Sequence, residues 1–340
     1  MLTVLINNSI TKIVNTEIPI CGENEVIINM KMCGLCGTDI EKINGNYKAS
    51  GITLGHEPVG IIHKKGKKVR DFKIGERVFI HHHVPCYKCH HCLNNSETMC
   101  NQYRKTNIEP GGFAEFFKVP QINIVNNGIL KLPKHVSFEN AMFIEPMACC
   151  IRALNKIKIK KNNSYYISGL GSIGLIFLKL LRLEGADKIF VNDIKNEKLK
   201  YAQKTEKCIP INALDNKEID IINQGTNNIG VDVAIVATGN MNAIIKSLKV
   251  LRKGGKILLF GIPAINSVLK YDISKLVTNE ISIITSNAAT EKDTKLALEY
   301  LSSNKISLED FITHKYNIKD FKIALSTIEK ENCIKIAIVN

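Results

Sequence analysis

No stretch of this 340-residue sequence stays apolar for the roughly 18 residues that cross a bilayer. The Ile176–Leu183 segment is interrupted by Lys179 and Arg182. Met1–Ile10 lacks the basic start and apolar centre of a signal peptide. Internal repeats, low-complexity tracts and long linkers are absent too. These absences predict a soluble, cytoplasmic protein with no membrane role. Aromatic residues make up only 6% of the chain and do not interleave with its two dense basic patches, Lys64–Lys68 and Lys156–Lys161. A surface that stacks single-stranded bases would interleave them. The net charge is +14, from 46 Lys plus Arg against 32 Asp plus Glu, and the remaining lysines are scattered. That distribution reads as solvated surface, and no nucleic-acid partner is expected.

What is present is enough for a large core: 45% of residues are hydrophobic, and the length predicts two domains. The first third alternates in the manner of strands, at Thr3–Ile6, Ile10–Val14, Glu25–Met32, Val59–His63, Arg77–Ile80 and Phe113–Val119, with turns such as Asn7-Asn8 between them. Near residue 137 the texture changes. Ser137 is placed to cap a helix through Met142, which Pro146 would end or kink, and a second helix is expected over Ala148–Lys156. From Tyr165 onward strands and helices alternate, which predicts a parallel, doubly wound sheet.

Eleven cysteines in a chain with no secretion signal argue for reduced thiols that bind metal, not for a disulfide framework. Cys86, Cys89, Cys92 and Cys100 have the C-x2-C-x2-C-x7-C spacing of a closed tetrahedral zinc, whose role is structural. His81, His82, His83, His90 and His91 lie nearby and are expected at the surface or at strand ends. A second constellation is mixed: Cys36 offers sulfur, His56 nitrogen, and Glu57 and Glu145 oxygen. Such ligands from separated segments suit an open, catalytic zinc. Asp39 could fix the tautomer of His56 by accepting a hydrogen bond from its ring. Taken alone, Cys33 and Cys36 read as a redox pair or two buried thiols rather than as a metal site.

The run Gly169-Leu170-Gly171-Ser172-Ile173-Gly174 follows a strand and opens a helix. The first glycine permits a tight turn, the second lets a pyrophosphate approach, and the third allows close helix–strand packing. The helix amino terminus then presents N–H groups and a positive dipole end to phosphate. Asp193, at the end of the next strand, would bind ribose hydroxyls and repel a 2′-phosphate, which favours NAD over NADP.

Cys36-Gly37-Thr38-Asp39, Gly55-His56-Glu57, the four-cysteine lobe, Glu145-Pro146 and the dinucleotide fingerprint occur in the order found in the zinc-dependent medium-chain dehydrogenases. Over essentially its whole length the chain resembles their polyol (sorbitol) and threonine dehydrogenase branch. The resemblance implies a β-rich, partly open GroES-like barrel of residues 1–150 and 287–340, which carries the catalytic zinc. It implies a Rossmann domain of residues 151–286 that binds NAD, with the active site in the cleft between the two. It makes Cys36, His56 and Glu145 ligands of the catalytic zinc, Glu57 a second carboxylate that trades places with water, and Cys33 a core residue. Lys198 matches a basic position that touches the adenosine ribose. The implied reaction is oxidation of a secondary alcohol to a ketone, with zinc polarising the hydroxyl, Thr38 taking its proton and nicotinamide taking the hydride. One departure stands out: the family's proton-relaying histidine two residues after Asp39 is here Glu41. Relatives assemble as homodimers or homotetramers, often through the edge of the nucleotide-domain sheet.

The implied substrates are polyols, sugar alcohols or alditol phosphates, with L-threonine or short diols as the alternative. A different class of function, a dehydrogenase-like sensor or a nucleic-acid-binding zinc protein, would account for the basic charge. It has no use for both an open metal site and an NAD fingerprint.

Overall fold

Strands form where β-branched runs are long enough to bury one or both faces, and their order decides which residues meet. The computed structural model describes residues 1–7, 10–45, 54–330 and 333–340. The turn expected at Asn7-Asn8 therefore lies partly outside the described residues. Two compact units result, Met1–Ala148 with Ala288–Asn340, and Cys149–Asn287.

The first unit is built on a seven-stranded sheet. Its spatial order is Ile312–Asn317, Lys335–Val339, Val26–Leu35, Pro58–Lys65, Arg77–Ile80 and Ile129–Lys131, with Phe116–Val119 also paired to Val26–Leu35. Val26–Leu35 is the organising strand. Eight of its ten residues are buried, and it pairs antiparallel with three neighbours. Val26, Ile28, Met30, Phe113, Phe117 and Phe321 fill the core beside it, each side chain contributing roughly 1.5–3 kcal/mol on burial. The register aligns three strand ends: Leu35 faces Ile336 and Cys33 faces Pro58. Cys36, Lys335 and Glu57 each sit one residue beyond one of those paired positions. Residues far apart in sequence thus reach one end of the sheet.

The second unit is a six-stranded, wholly parallel sheet. Its order is Ile209–Asn212, Lys188–Asp193, Ser164–Ser168, Val231–Val236, Leu251–Leu259 and Ser282–Thr285. In chain order that is third, second, first, fourth, fifth, sixth, the arrangement of a dinucleotide-binding Rossmann sheet. All five residues of Ser164–Ser168 are buried, as a strand covered on both faces requires.

The segment around Pro146 differs from the sequence expectation. Ser137 does cap a short helix, Phe138–Ala141, its hydroxyl accepting from the Asn140 N–H at 3.1 Å. Pro146 neither ends nor kinks a helix; it lies in the first turn of Ile144–Ile157. A first-turn residue has no intrahelical acceptor for its N–H, so proline is tolerated there. Among the described residues, no helix is long and apolar enough to cross a membrane.

Candidate functional site

At the aligned strand ends, one ligand atom each from Cys36, His56 and Glu57 lies within 4.8 Å of the others. Asp39, fully buried in the helix Gly37–Ile43, holds the segments that carry them. One of its carboxylate oxygens accepts from the Cys36 N–H and the other from the Gly55 N–H, both at 3.1 Å. It also faces His56 Nδ1 at 3.4 Å. Burial alone would raise the Asp39 pKa and lower that of His56. Their mutual attraction, with Cys36 adding to the pull on His56, reverses both, so Asp39 sits below and His56 well above its ordinary value. That negative surround is the environment a divalent cation favours.

Glu57 is fully buried and paired with Lys335, whose Nζ lies 2.7 Å from Oε1 and 2.5 Å from Oε2. Burial lowers the Lys335 pKa, but the Glu57 charge raises it above the usual lysine value. Gly34 makes the pair possible, because a Cβ there would lie 1.8 Å from Glu57 Oε2. The sequence reading missed Lys335; its only signal was a lysine opening the otherwise apolar strand Lys335–Val339. Glu145 is buried in the same unit, and its charge acts on Glu57, but its carboxylate is not one of the three clustered ligand atoms. Thr38 is half-buried in the first turn of the Gly37–Ile43 helix, and Glu41 is exposed on that helix. Cys33 is buried completely.

The cysteine lobe forms a second cluster of Cys86, Cys89, Cys92 and Cys100. Its sulfur separations are 3.6 Å for Cys89–Cys92, 3.6 Å for Cys86–Cys100 and 4.0 Å for Cys86–Cys92. Zinc–sulfur bonds of about 2.3 Å place tetrahedral sulfurs about 3.8 Å apart, so the geometry fits the ion. The backbone N–H of Lys88 brings the Cys86 thiol down to about 6, favouring the thiolate that binds metal. All eleven cysteines are unbridged.

The neighbouring histidines divide. His90 and His91 are exposed, as expected. His81 and His82 follow the strand Arg77–Ile80 but are buried, not at the surface. The reason is a residue distant in sequence: the Asn123 amide donates to both their carbonyls, at 3.1 and 2.9 Å, and holds the segment inside. His81 Nδ1 pairs with Glu291 at 3.0 Å, and His83 Nδ1 bonds the Thr106 carbonyl.

In the second unit the three glycines have distinct surroundings. Gly169 has φ +94°, which suits a residue without a Cβ. A Cβ on Gly174 would meet the Gly169 carbonyl oxygen at 1.9 Å, whereas one on Gly171 would meet nothing within 4 Å among the described residues. A tight turn, an open approach and a close helix–strand contact are what a pyrophosphate cradle needs. Ser172 and Ile173 form the first turn of the helix Ser172–Leu183. Asp193 accepts from the Leu170 N–H at 2.7 Å and the Lys195 N–H at 2.9 Å, tying the end of its strand to the loop. Lys198 is half-buried on the helix Asn196–Thr205.

A parallel dinucleotide sheet joined in one chain to a sheet-end cluster of cysteine, histidine and carboxylate defines a zinc-type dehydrogenase. The alcohol dehydrogenase GroES-like domain matches residues 22–133 and the zinc-binding dehydrogenase domain matches residues 172–303. The chain belongs to the zinc-dependent medium-chain dehydrogenases and is an oxidoreductase. It is 30% identical to D-arabinitol dehydrogenase 1 of Uromyces fabae over 96% of this chain and 93% of that protein. It is 28% identical to sorbitol dehydrogenase of Bacillus subtilis, over 98% and 96%. Galactitol-1-phosphate dehydrogenase of Escherichia coli has the same fold, with a TM-score of 0.86 at 23% identity and full coverage of both chains.

Proposed function

We propose that this protein oxidises a secondary hydroxyl of a polyol, sugar alcohol or alditol phosphate to a ketone, with NAD as acceptor, in the cytoplasm. The observation that carries the reading is the convergence of Cys36, His56 and Glu57 under one buried organiser, Asp39. It is supported by the identity to arabinitol and sorbitol dehydrogenases along nearly the whole chain.

Cys36, His56 and Glu57 would hold the catalytic zinc, with Glu145 a further carboxylate ligand in the same unit, and Cys86, Cys89, Cys92 and Cys100 would hold a structural one. When bound, zinc would supply Lewis acidity that eases loss of the hydroxyl proton, and NAD would supply the hydride acceptor. Asp39 orients His56 and keeps its ring in one tautomer. Thr38 receives the proton through its hydroxyl. Glu41, three residues along the same helix and exposed, passes it to solvent. Glu57 is the carboxylate of the cluster, its position set by Lys335. Gly169, Gly171, Ser172, Ile173 and Gly174 cradle the pyrophosphate, while Asp193 and Lys198 bind the adenosine ribose, with Asp193 selecting NAD. The protein works as a homodimer or homotetramer. In support, the edge strand Ser282–Thr285 leaves Ile283 43% exposed, and Ile273 and Val277 nearby in sequence are 61% and 72% exposed.

The test is NADH formation on sorbitol, arabinitols, galactitol, alditol phosphates, L-threonine and 2,3-butanediol, with metal content measured on the same sample. Turnover on the polyol group, with about two zinc per chain, is expected. Cys36→Ala should abolish turnover while NADH binding persists. Turnover confined to L-threonine would overturn the polyol reading.

A further inference from the structure

Three histidines in a row follow the strand Arg77–Ile80, and their side chains are used differently. The outer two, His81 and His83, are tied through Nδ1 to Glu291 and to the Thr106 carbonyl. The middle one, His82, is 9% exposed, and its Nδ1 is buried with no hydrogen-bond partner among the described residues. It is also the one beside the candidate metal cluster, its ring centroid 5.4 Å from that of His56. The backbone beneath it is fixed: Asn123 donates to the His81 and His82 carbonyls, and the His81 N–H donates to the Gly128 carbonyl at 2.7 Å. A buried imidazole is a donor at one nitrogen and an acceptor at the other, and leaving a buried polar atom unpaired costs free energy. A rigidly held, unsatisfied polar group at the edge of a reaction centre is suited to a ligand's polar group.

We propose that His82 is a substrate-binding residue that hydrogen-bonds a second hydroxyl of the polyol, on the carbon next to the one oxidised. This rests on the polyol reading and adds a specificity determinant to it. An alcohol without a neighbouring hydroxyl leaves the imidazole unpaired, so His82 favours polyols over simple secondary alcohols.

The experiment compares 2,3-butanediol with 2-butanol, which differ by that one hydroxyl, in wild type, His82→Phe and His82→Asn. Zinc content is measured for each protein. His82→Phe should lower kcat/KM on the diol roughly 10- to 100-fold and change that on 2-butanol by less than about 2-fold. His82→Asn, which keeps a donor and an acceptor, should recover part of the loss. A second readout needs no turnover: affinity of the NADH complex for acetoin against butanone, followed by NADH fluorescence. The chain contains no tryptophan, so no indole emission overlaps the measurement. His82→Phe should weaken acetoin binding and leave butanone binding unchanged. Equal losses on both alcohols would assign His82 to packing against His56 and overturn the inference. So would a diol preference that survives in His82→Phe. A wild-type enzyme that handles 2-butanol as well as the diol would overturn the polyol reading, and this inference with it.

Discussion

Replacing Lys335 by methionine isolates the buried ion pair at the end of the catalytic sheet. The ammonium lies 2.7 and 2.5 Å from the two Glu57 oxygens, with the side chains 3% and 0% exposed. At an effective dielectric of about 20, unit charges that close attract by about 6 kcal/mol. Desolvation offsets much of this when the pair forms. Removing one partner leaves the other charge buried and uncompensated, at a cost of about 3–5 kcal/mol. The close approach of Glu57 to Gly34 leaves the carboxylate no space to turn that way for another partner. For a unit of this size the loss corresponds to a melting temperature lower by about 6–20 °C. Calorimetry of Lys335→Met and of the double variant with Glu57→Gln measures it. Neutralising Glu57 removes the uncompensated charge, so the double variant should regain more than half the loss. A single variant that melts within about 2 °C of wild type, or a double variant no more stable than the single, would refute the reasoning.

Gly174→Ala places a methyl 1.9 Å from the Gly169 carbonyl; it should destabilise the nucleotide unit by about 1–3 kcal/mol and weaken NADH binding at least tenfold, measured by fluorescence titration. Cys92→Ser should lower zinc from about two per chain to about one, by metal analysis, and lower the melting temperature while leaving NADH affinity intact. Asp232 accepts from the Ser164 N–H at 2.8 Å, the Ser164 hydroxyl at 2.9 Å and Arg252 Nε at 2.6 Å. Burial raises its pKa, but these partners outweigh that and hold it below the usual carboxylate range. Its contribution is therefore present above about pH 4 and lost as pH falls through the lower folded value. Asp232→Asn should be less stable than wild type at neutral pH and lose less on acidification, as acid titration of the unfolding free energy will show.

The Rossmann half was legible because each element carries its own local signal: apolar strands, a glycine run with fixed offsets, and an acidic residue closing the next strand. The four-cysteine lobe was legible for the same reason, since its ligands fall within fifteen residues. The candidate metal cluster needed the family resemblance, because Cys36 is brought to His56 and Glu57 by strand register that no local pattern encodes. Lys335 was invisible for that reason; its partner is 278 residues away. His81 and His82 lie at a strand end, one of the two expected places, but their burial was not legible because it depends on Asn123, a remote polar residue with no periodicity of its own. Pro146 was misread because a helix breaker and a first-turn residue look alike until the preceding turn is known.

The first unit is discontinuous, and its strand Lys335–Val339 lies inside the sheet between Ile312–Asn317 and Val26–Leu35. On the ribosome, Glu57 emerges 278 residues before Lys335, an interval of about 14–56 s at 5–20 residues per second. Throughout it, the organising strand has a bare edge where Lys335–Val339 will pair, and the Glu57 carboxylate has no counter-ion. The intervening unit, Cys149–Asn287, is continuous in sequence and can fold during the wait. Nascent chains of this protein therefore carry an open, apolar sheet edge until Lys335–Val339 has emerged, and such an unpaired edge is a template for pairing with another chain.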